Sequence, residues 1–263
     1  MTESLKRTGR DFSDAIRLWR LALDGAWLDW RRRYSRSALG VAWVFISFAA
    51  FVGVKIVIFG AMSDFDIAFF AVWLSCGFLL WQLISGILVD GCSVFLQNDR
   101  MIKANNYPLF SFIFQSIAKN AIRFLISFLF FILILLYFGA PPIGAWVWVV
   151  PALAIYLVNA VWAQLFLGVL AARFNDIMHF VQTAVRLLFF LSPILWVPGQ
   201  FGRFGELSDY NPITHYLAIV RDPLVGREPP FDSWVIVSSI TVVGVALALV
   251  VFARFRNRLI FWV

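Results

Sequence analysis

Arg186 makes the clearest demand on its surroundings. It lies in the apolar run 177–197. A charge at such a place costs roughly 2.5–3.5 kcal/mol on insertion scales and is usually found facing a bundle interior or a wet cavity. A guanidinium held there can attract an anion. Three more charges stand in or beside apolar runs. Lys55, in the outer part of the first run, can snorkel to an interface, and Asp90 and Arg123, near the inner surface, can do the same. Motifs for enzymatic chemistry are missing. There is no GxxxxGK[ST], so no P-loop of its own, and no HExxH, CxxC or GxSxG. His179 and His215 are far apart and on opposite sides of the topology derived below. The reading expects no catalytic residue, no metal and no cofactor on this chain.

The elements that hold these charges are not those of a soluble domain. Of 263 residues, 62% are hydrophobic and only 14% charged, whereas soluble domains run near half and a quarter. Phe 29 and Trp 12 suit a bilayer interior and its interfaces. The net charge of +7 is gathered in a few loops, so the positive-inside bias explains it better than nucleic acid does. The N-terminus, MTESLKRTGRDFSD, is polar with no apolar run behind it, so no cleavable signal peptide is expected. Cys76 falls mid-bilayer and Cys92 near the inner side, which makes them packing residues rather than a disulfide.

Phe12, Ile16, Trp19, Leu23, Trp27 and Trp30 recur at spacings of four, three, four, four and three, one stripe of an α-helix, with Arg17, Arg20 and Asp24 off it. Such a helix suits the plane of a membrane interface; the rival is a core-facing helix of a soluble domain. The basic run Arg31-Arg32-Arg33-Tyr34-Ser35-Arg36 follows. Spans need about 20 apolar residues, and six are expected at 39–62, 67–89, 110–138, 145–172, 177–197 and 233–253. Lys and Arg concentrate before the first span, in 90–108, in the joint Arg173-Phe174-Asn175-Asp176 and after the last span. Ser63-Asp64-Phe65-Asp66 and Gly139-Ala140-Pro141-Pro142 carry none. That alternation places both termini in the cytoplasm. Residues 198–232 are then outside. Within them Asn211-Pro212 reads as a helix start, with Ile213, Tyr216, Leu217, Val220 and Leu224 at helical spacing. Short helices dipping back into the outer leaflet fit, because irregular backbone at that depth needs protein or water around it. Trp73, Trp81, Trp146, Trp148 and Trp196 fall near the expected interfaces.

Four stretches in this order resemble the ABC-2 type permeases, in particular the membrane subunits of bacterial exporters of O-antigen, capsular polysaccharide and teichoic acid. They are residues 31–43, with the core Tyr34-Ser35-Arg36-Ser37-Ala38-Leu39-Gly40; the loop from Phe95-Leu96 to Tyr107-Pro108; Arg173-Phe174-Asn175-Asp176-Ile177 with Leu191-Ser192-Pro193-Ile194; and Asn211-Pro212-Ile213-Thr214-His215-Tyr216 through Arg221-Asp222. The family's joint usually reads Arg-x-Arg-Asp, and Asn175 stands where the second Arg would be.

The resemblance implies a single all-α polytopic membrane domain over 1–263, with 1–36 as cytoplasmic tail and interfacial helix. Two copies would form the pore and two separate ATPase subunits would bind beneath, holding the ATP and Mg2+. Val94, Phe95, Asp99, Arg100 and Lys103 in the coupling loop 90–108 would touch the ATPase, with Arg173 and Asp176 as a second contact. Arg31, Arg32, Arg33, Tyr34 and Arg36 would form a basic entrance, and with Arg186 attract the pyrophosphate of a lipid-linked polysaccharide. Pro193, Phe201, Asn211, Pro212, Tyr216, Arg221 and Asp222 would form a periplasmic gate. Aromatic faces would stack on sugar rings. The expected place is the bacterial inner membrane, with membrane lipids and no nucleic acid as partners. The rivals are a permease for a drug or small lipid, and a membrane-embedded glycosyl- or acyltransferase. The latter needs a catalytic acid or His at a membrane surface, and clustered acids occur only in the outer loop.

Overall fold

The computed structural model describes residues 2–35, 37–60, 66–104, 107–139, 143–198, 205 and 208–263. Arg36 and Phe201 lie outside them. Among the described residues every regular element is helical. In order they are α1 Thr2–Arg17, α2 Trp19–Tyr34, α3 Ala42–Gly60, α4 Ile67–Ser93, α5 Asp99–Ala104, α6 Leu109–Phe138, α7 Val149–Arg173, α8 Asp176–Leu191, α9 Pro212–Leu224 and α10 Phe231–Trp262. Short 3-10 turns, Leu96–Asn98 and Ile143–Trp148, precede α5 and α7.

Among the described residues four helices are long and apolar enough to cross a membrane: Ile67–Ser93, Leu109–Phe138, Gly144–Arg173 and Phe231–Trp262. Their outer faces are strongly apolar. Leu125, Leu129, Leu133 and Leu136 on α6 and Val242, Val243, Leu247 and Val250 on α10 are all exposed, a surface suited to lipid chains and not to water. Helix α4 is the axis of the bundle. Most of its side chains are buried, and α3, α6, α7, α8 and α9 all pack on it. Helix α10 lies along α7.

Local chemistry explains the ends. Helix α8 stops at Leu191 because Pro193 pushes Ser192 into extended backbone, φ −95° and ψ 146°. Regular helix in the segment 177–197 therefore ends at Leu191, sixteen residues long from its start at Asp176, and a turn follows. The last helix runs on past 253 to Trp262, so Arg254, Arg256 and Arg258 are helical. Asn211 caps α9, its side chain accepting from the Ile213 N–H at 3.0 Å, with Pro212 at the first helical position. The N-terminal stripe spans two helices rather than one, stepping at Leu18 while backbone bonds from Leu18 to Asp14 and from Ala22 to Leu18 carry the direction across. On it Phe12, Ile16, Trp19, Leu23 and Trp27 are exposed and Trp30 is buried.

Candidate functional site

A polar groove runs along the bundle between α4, α6 and α8. Gln82, Ser85, Gly86, Val89 and Asp90 come from α4, Arg123 from α6, and Gln182, Val185 and Arg186 from α8; they enclose about 430 Å³. The α4 and α8 residues recur three and four apart, so each helix presents one polar stripe. Arg186 is exposed in the groove, and among the described residues no carboxylate lies within ion-pair distance of it. Asp90 is held by the Asn120 amide, which donates at 2.9 Å. Gln82 Oε1 accepts from Ser127 Oγ at 2.7 Å. Gly86 lets α6 come this close, because a Cβ there would collide with Asn120.

The groove continues both ways. Toward the end that bears the basic run, Asp90 and Arg123 also line a cleft of about 280 Å³ with Asp29, Arg33 and Lys119. The Lys119 ammonium is 3.4 Å from Asp29, and the Trp30 indole donates to Lys119 O at 3.2 Å. Tyr34 stacks on Trp30 with ring centroids 5.2 Å apart. Arg33 thus joins the path, whereas Arg31 is exposed and Arg32 faces a separate cleft with Asp99 and Arg100. Toward the opposite end, Gln82, Ser85, Val185 and Arg186 also line an aromatic cleft of about 340 Å³ with Phe51, Phe78, Trp81, Phe189 and Phe190. Lys55 stands over the Phe51 ring at 4.3 Å and near Phe189 at 5.7 Å. Along the whole path the cations Arg33, Lys119, Arg123 and Arg186 outnumber Asp29 and Asp90.

Beyond the aromatic cleft lies a buried cluster around Arg221, which is 2% exposed. Its guanidinium lies 3.4 Å from the centroid of the Trp73 ring, donates to Pro193 O at 2.6 Å, and has Asp222 at 3.8 Å. Burial lowers the Arg221 pKa to about 10, with Asp222 opposing the shift, so it stays charged at neutral pH. The Trp73 indole donates to Trp196 O at 3.2 Å. Asn211 donates to Ser192 Oγ at 3.0 Å. Tyr216 donates to Asn159, whose amide donates in turn to Thr241 at 2.7 Å. Pro193, Asn211, Tyr216, Arg221 and Asp222 therefore meet in one place, with Pro212 exposed beside them. Trp73 and Trp81 are buried in the bundle rather than standing in an interfacial belt. His215 is half-buried, with Nε2 at 2.8 Å from Asp209 O and Nδ1 at 3.0 Å from Ser233 Oγ. His179 is exposed.

At the basic end, Arg100 and Lys103 are exposed on α5 and Asp99 is half-exposed. Val94 and Phe95 are buried. They pack on Gly168, where a Cβ would stand 2.8 Å from Val94 and 2.9 Å from Phe95, so in this structure they hold the elbow and present no outer face. Arg173 and Asp176 are exposed, and the Arg173 guanidinium lies 5.6 Å from the Trp262 ring centroid. Sequence reasoning missed Asp11, which is 5% exposed and caps α6 through the N–H groups of Leu109 and Phe110. The signal available was an acid beside the apolar stripe.

Comparison with known proteins identifies the family. Two O-antigen export system permease proteins RfbA from Klebsiella pneumoniae are 24% and 23% identical over 196 residues, 74% of this chain and 76% of each relative. The family model described as ABC-2 type transporter matches residues 25–225. That match takes in the groove, the basic-end elbow and the Arg221 cluster, and the chain belongs to the ABC-2 type transporter family.

Proposed function

We propose that this chain is the pore-forming membrane subunit of an ATP-driven exporter that moves a lipid-linked O-antigen polysaccharide out of the cytoplasm across the bacterial inner membrane. The observation that carries the reading is the continuous path from Arg33 through Arg186 to the aromatic cleft. Its cations suit a pyrophosphate head. Its rings suit sugar faces, which stack on aromatics. The similar Klebsiella pneumoniae proteins are O-antigen export system permeases, which supports the same cargo.

On this reading α3 and α8 complete six spans, both termini are cytoplasmic, and α9 is a re-entrant helix at the periplasmic end. Two copies face each other across their grooves, because one groove is open on the side away from α4. Two ATPase subunits sit beneath and hold the ATP and Mg2+. Asp99, Arg100, Lys103, Arg173 and Asp176 meet them, and Val94 and Phe95 transmit the push through Gly168 to α7. Arg31, Arg32 and Arg36 draw the anionic head to the entrance. Arg221, Asp222, Pro193, Asn211, Pro212, Tyr216 and Phe201 form the gate. Chemistry on the substrate is left to other proteins.

The test is to co-express the chain with the ATPase encoded beside it and purify through a tag on this chain alone. ATPase activity that co-purifies, and is lost when Asp99, Arg100 and Lys103 are changed together, supports the reading. A stable chain that brings down no ATPase overturns it.

A further inference from the structure

The N-terminal helix pair does not close onto the bundle along its whole length. Between its apolar stripe and the flanks of α6, α7 and α10 runs a groove of about 910 Å³. Phe12, Ile16, Trp19 and Leu23 form one wall, and Phe114 and Val161 belong to the other. The one hydroxyl-bearing side chain on its lining is Thr8, which is itself buried. Phe12, Ile16, Trp19 and Leu23 are each at least 39% exposed in the protein alone. A lining this apolar is better covered by hydrocarbon than by water.

Arg17 and Arg20 flank the apolar stripe that lines the groove, with Asp24 also off the stripe. Arg17 follows Ile16 at the step between α1 and α2, and the Arg20 guanidinium lies 5.6 Å from the centroid of Trp19, whose ring lines the groove. Both arginines are exposed. A tryptophan beside arginines on an amphipathic helix matches the level where acyl chains give way to phosphates. We propose that this groove binds an anionic glycerophospholipid of the cytoplasmic leaflet, one acyl chain in the slot and the phosphate at Arg17 and Arg20. The proposal rests on the interfacial reading of α1 and α2. It does not depend on the transported cargo.

The test is mass spectrometry of lipids retained by the chain purified in mild detergent. An anionic phospholipid should be enriched severalfold over its share of the membrane. Gly9 lines the groove, and a Cβ there would meet nothing within 4 Å, so Gly9→Phe adds a ring at the slot with no clash at its first side-chain atom. It should lower retained phospholipid severalfold while leaving ATPase co-purification unchanged. Changing Arg17 and Arg20 to Gln together should keep a lipid bound but lose the preference for an anionic head. Lipids retained in bulk proportion by the unaltered chain, retention unaffected by Gly9→Phe, or a polyprenyl-linked saccharide found instead of a phospholipid would each overturn the proposal. Loss of the ATPase partner with the lipid still enriched would instead count against the exporter reading alone.

Discussion

The Asp11 carboxylate accepts a hydrogen bond from the Arg256 guanidinium at 3.0 Å, across 245 residues of chain. It also accepts from the backbone N–H of Leu109 at 3.2 Å and of Phe110 at 3.4 Å. One buried acid thus ties the N-terminal helix, the last helix and the start of α6, immediately after the elbow that carries Asp99, Arg100 and Lys103. A carboxylate is favoured there because the first N–H groups of a helix lack intrahelical acceptors and carry partial positive charge.

Asp11→Ala should cost about 1–3 kcal/mol, since a buried group that loses its partner bears its desolvation. Arg256→Ala should cost less, because the cap on α6 survives. A double-mutant cycle read from unfolding in mild detergent should return a coupling of about 1 kcal/mol. Additive losses would show that the two groups do not act together.

The Arg221 latch predicts a leak. Arg221→Ala takes from the Asp222 carboxylate one of the two arginines that favour its charge, Arg227 remaining, and from the Pro193 carbonyl its donor. Removing one partner of a buried pair typically costs about 3–5 kcal/mol. Arg221→Lys keeps the charge but loses the flat stacking on Trp73, so it should rescue only in part. Cells carrying the alanine variant at normal abundance should become sensitive to a large antibiotic that the inner membrane otherwise excludes. Equal resistance in all three strains would remove the latch from the gate.

Gly168→Val tests the elbow. The added methyls must displace Val94 and Phe95, at about 1–3 kcal/mol for overpacking. ATPase co-purification should fall, although residue 168 faces no partner. An unchanged complex would mean that the turn is free to shift.

Much of this was legible from local chemistry. Asn211-Pro212 announces α9, and the Phe12 to Trp30 stripe announces the exposed apolar face of α1 and α2. Each is a short-range rule with its partners within a turn or two. The pairings that close the site were not legible, because Asp11 with Arg256, and Trp73 with Arg221, are far apart in sequence and leave no periodic trace. Trp73 read as a belt residue for the same reason: its depth is evident from the sequence, but its neighbour is not. The pull of Arg186 toward a polar lining was readable as a cost, whereas its companions Gln82, Ser85 and Gln182 emerge only when α4 and α8 are set side by side.

The most direct measurement is surface O-antigen in cells whose own copy is replaced by Arg186→Glu, with chain abundance and ATPase co-purification followed in parallel. Reversing Arg186, a groove cation with no ion-pair partner among the described residues, should block surface display. Lipid-linked polymer should then accumulate inside while the complex stays intact. Normal surface O-antigen from an intact complex would contradict the groove as the export path.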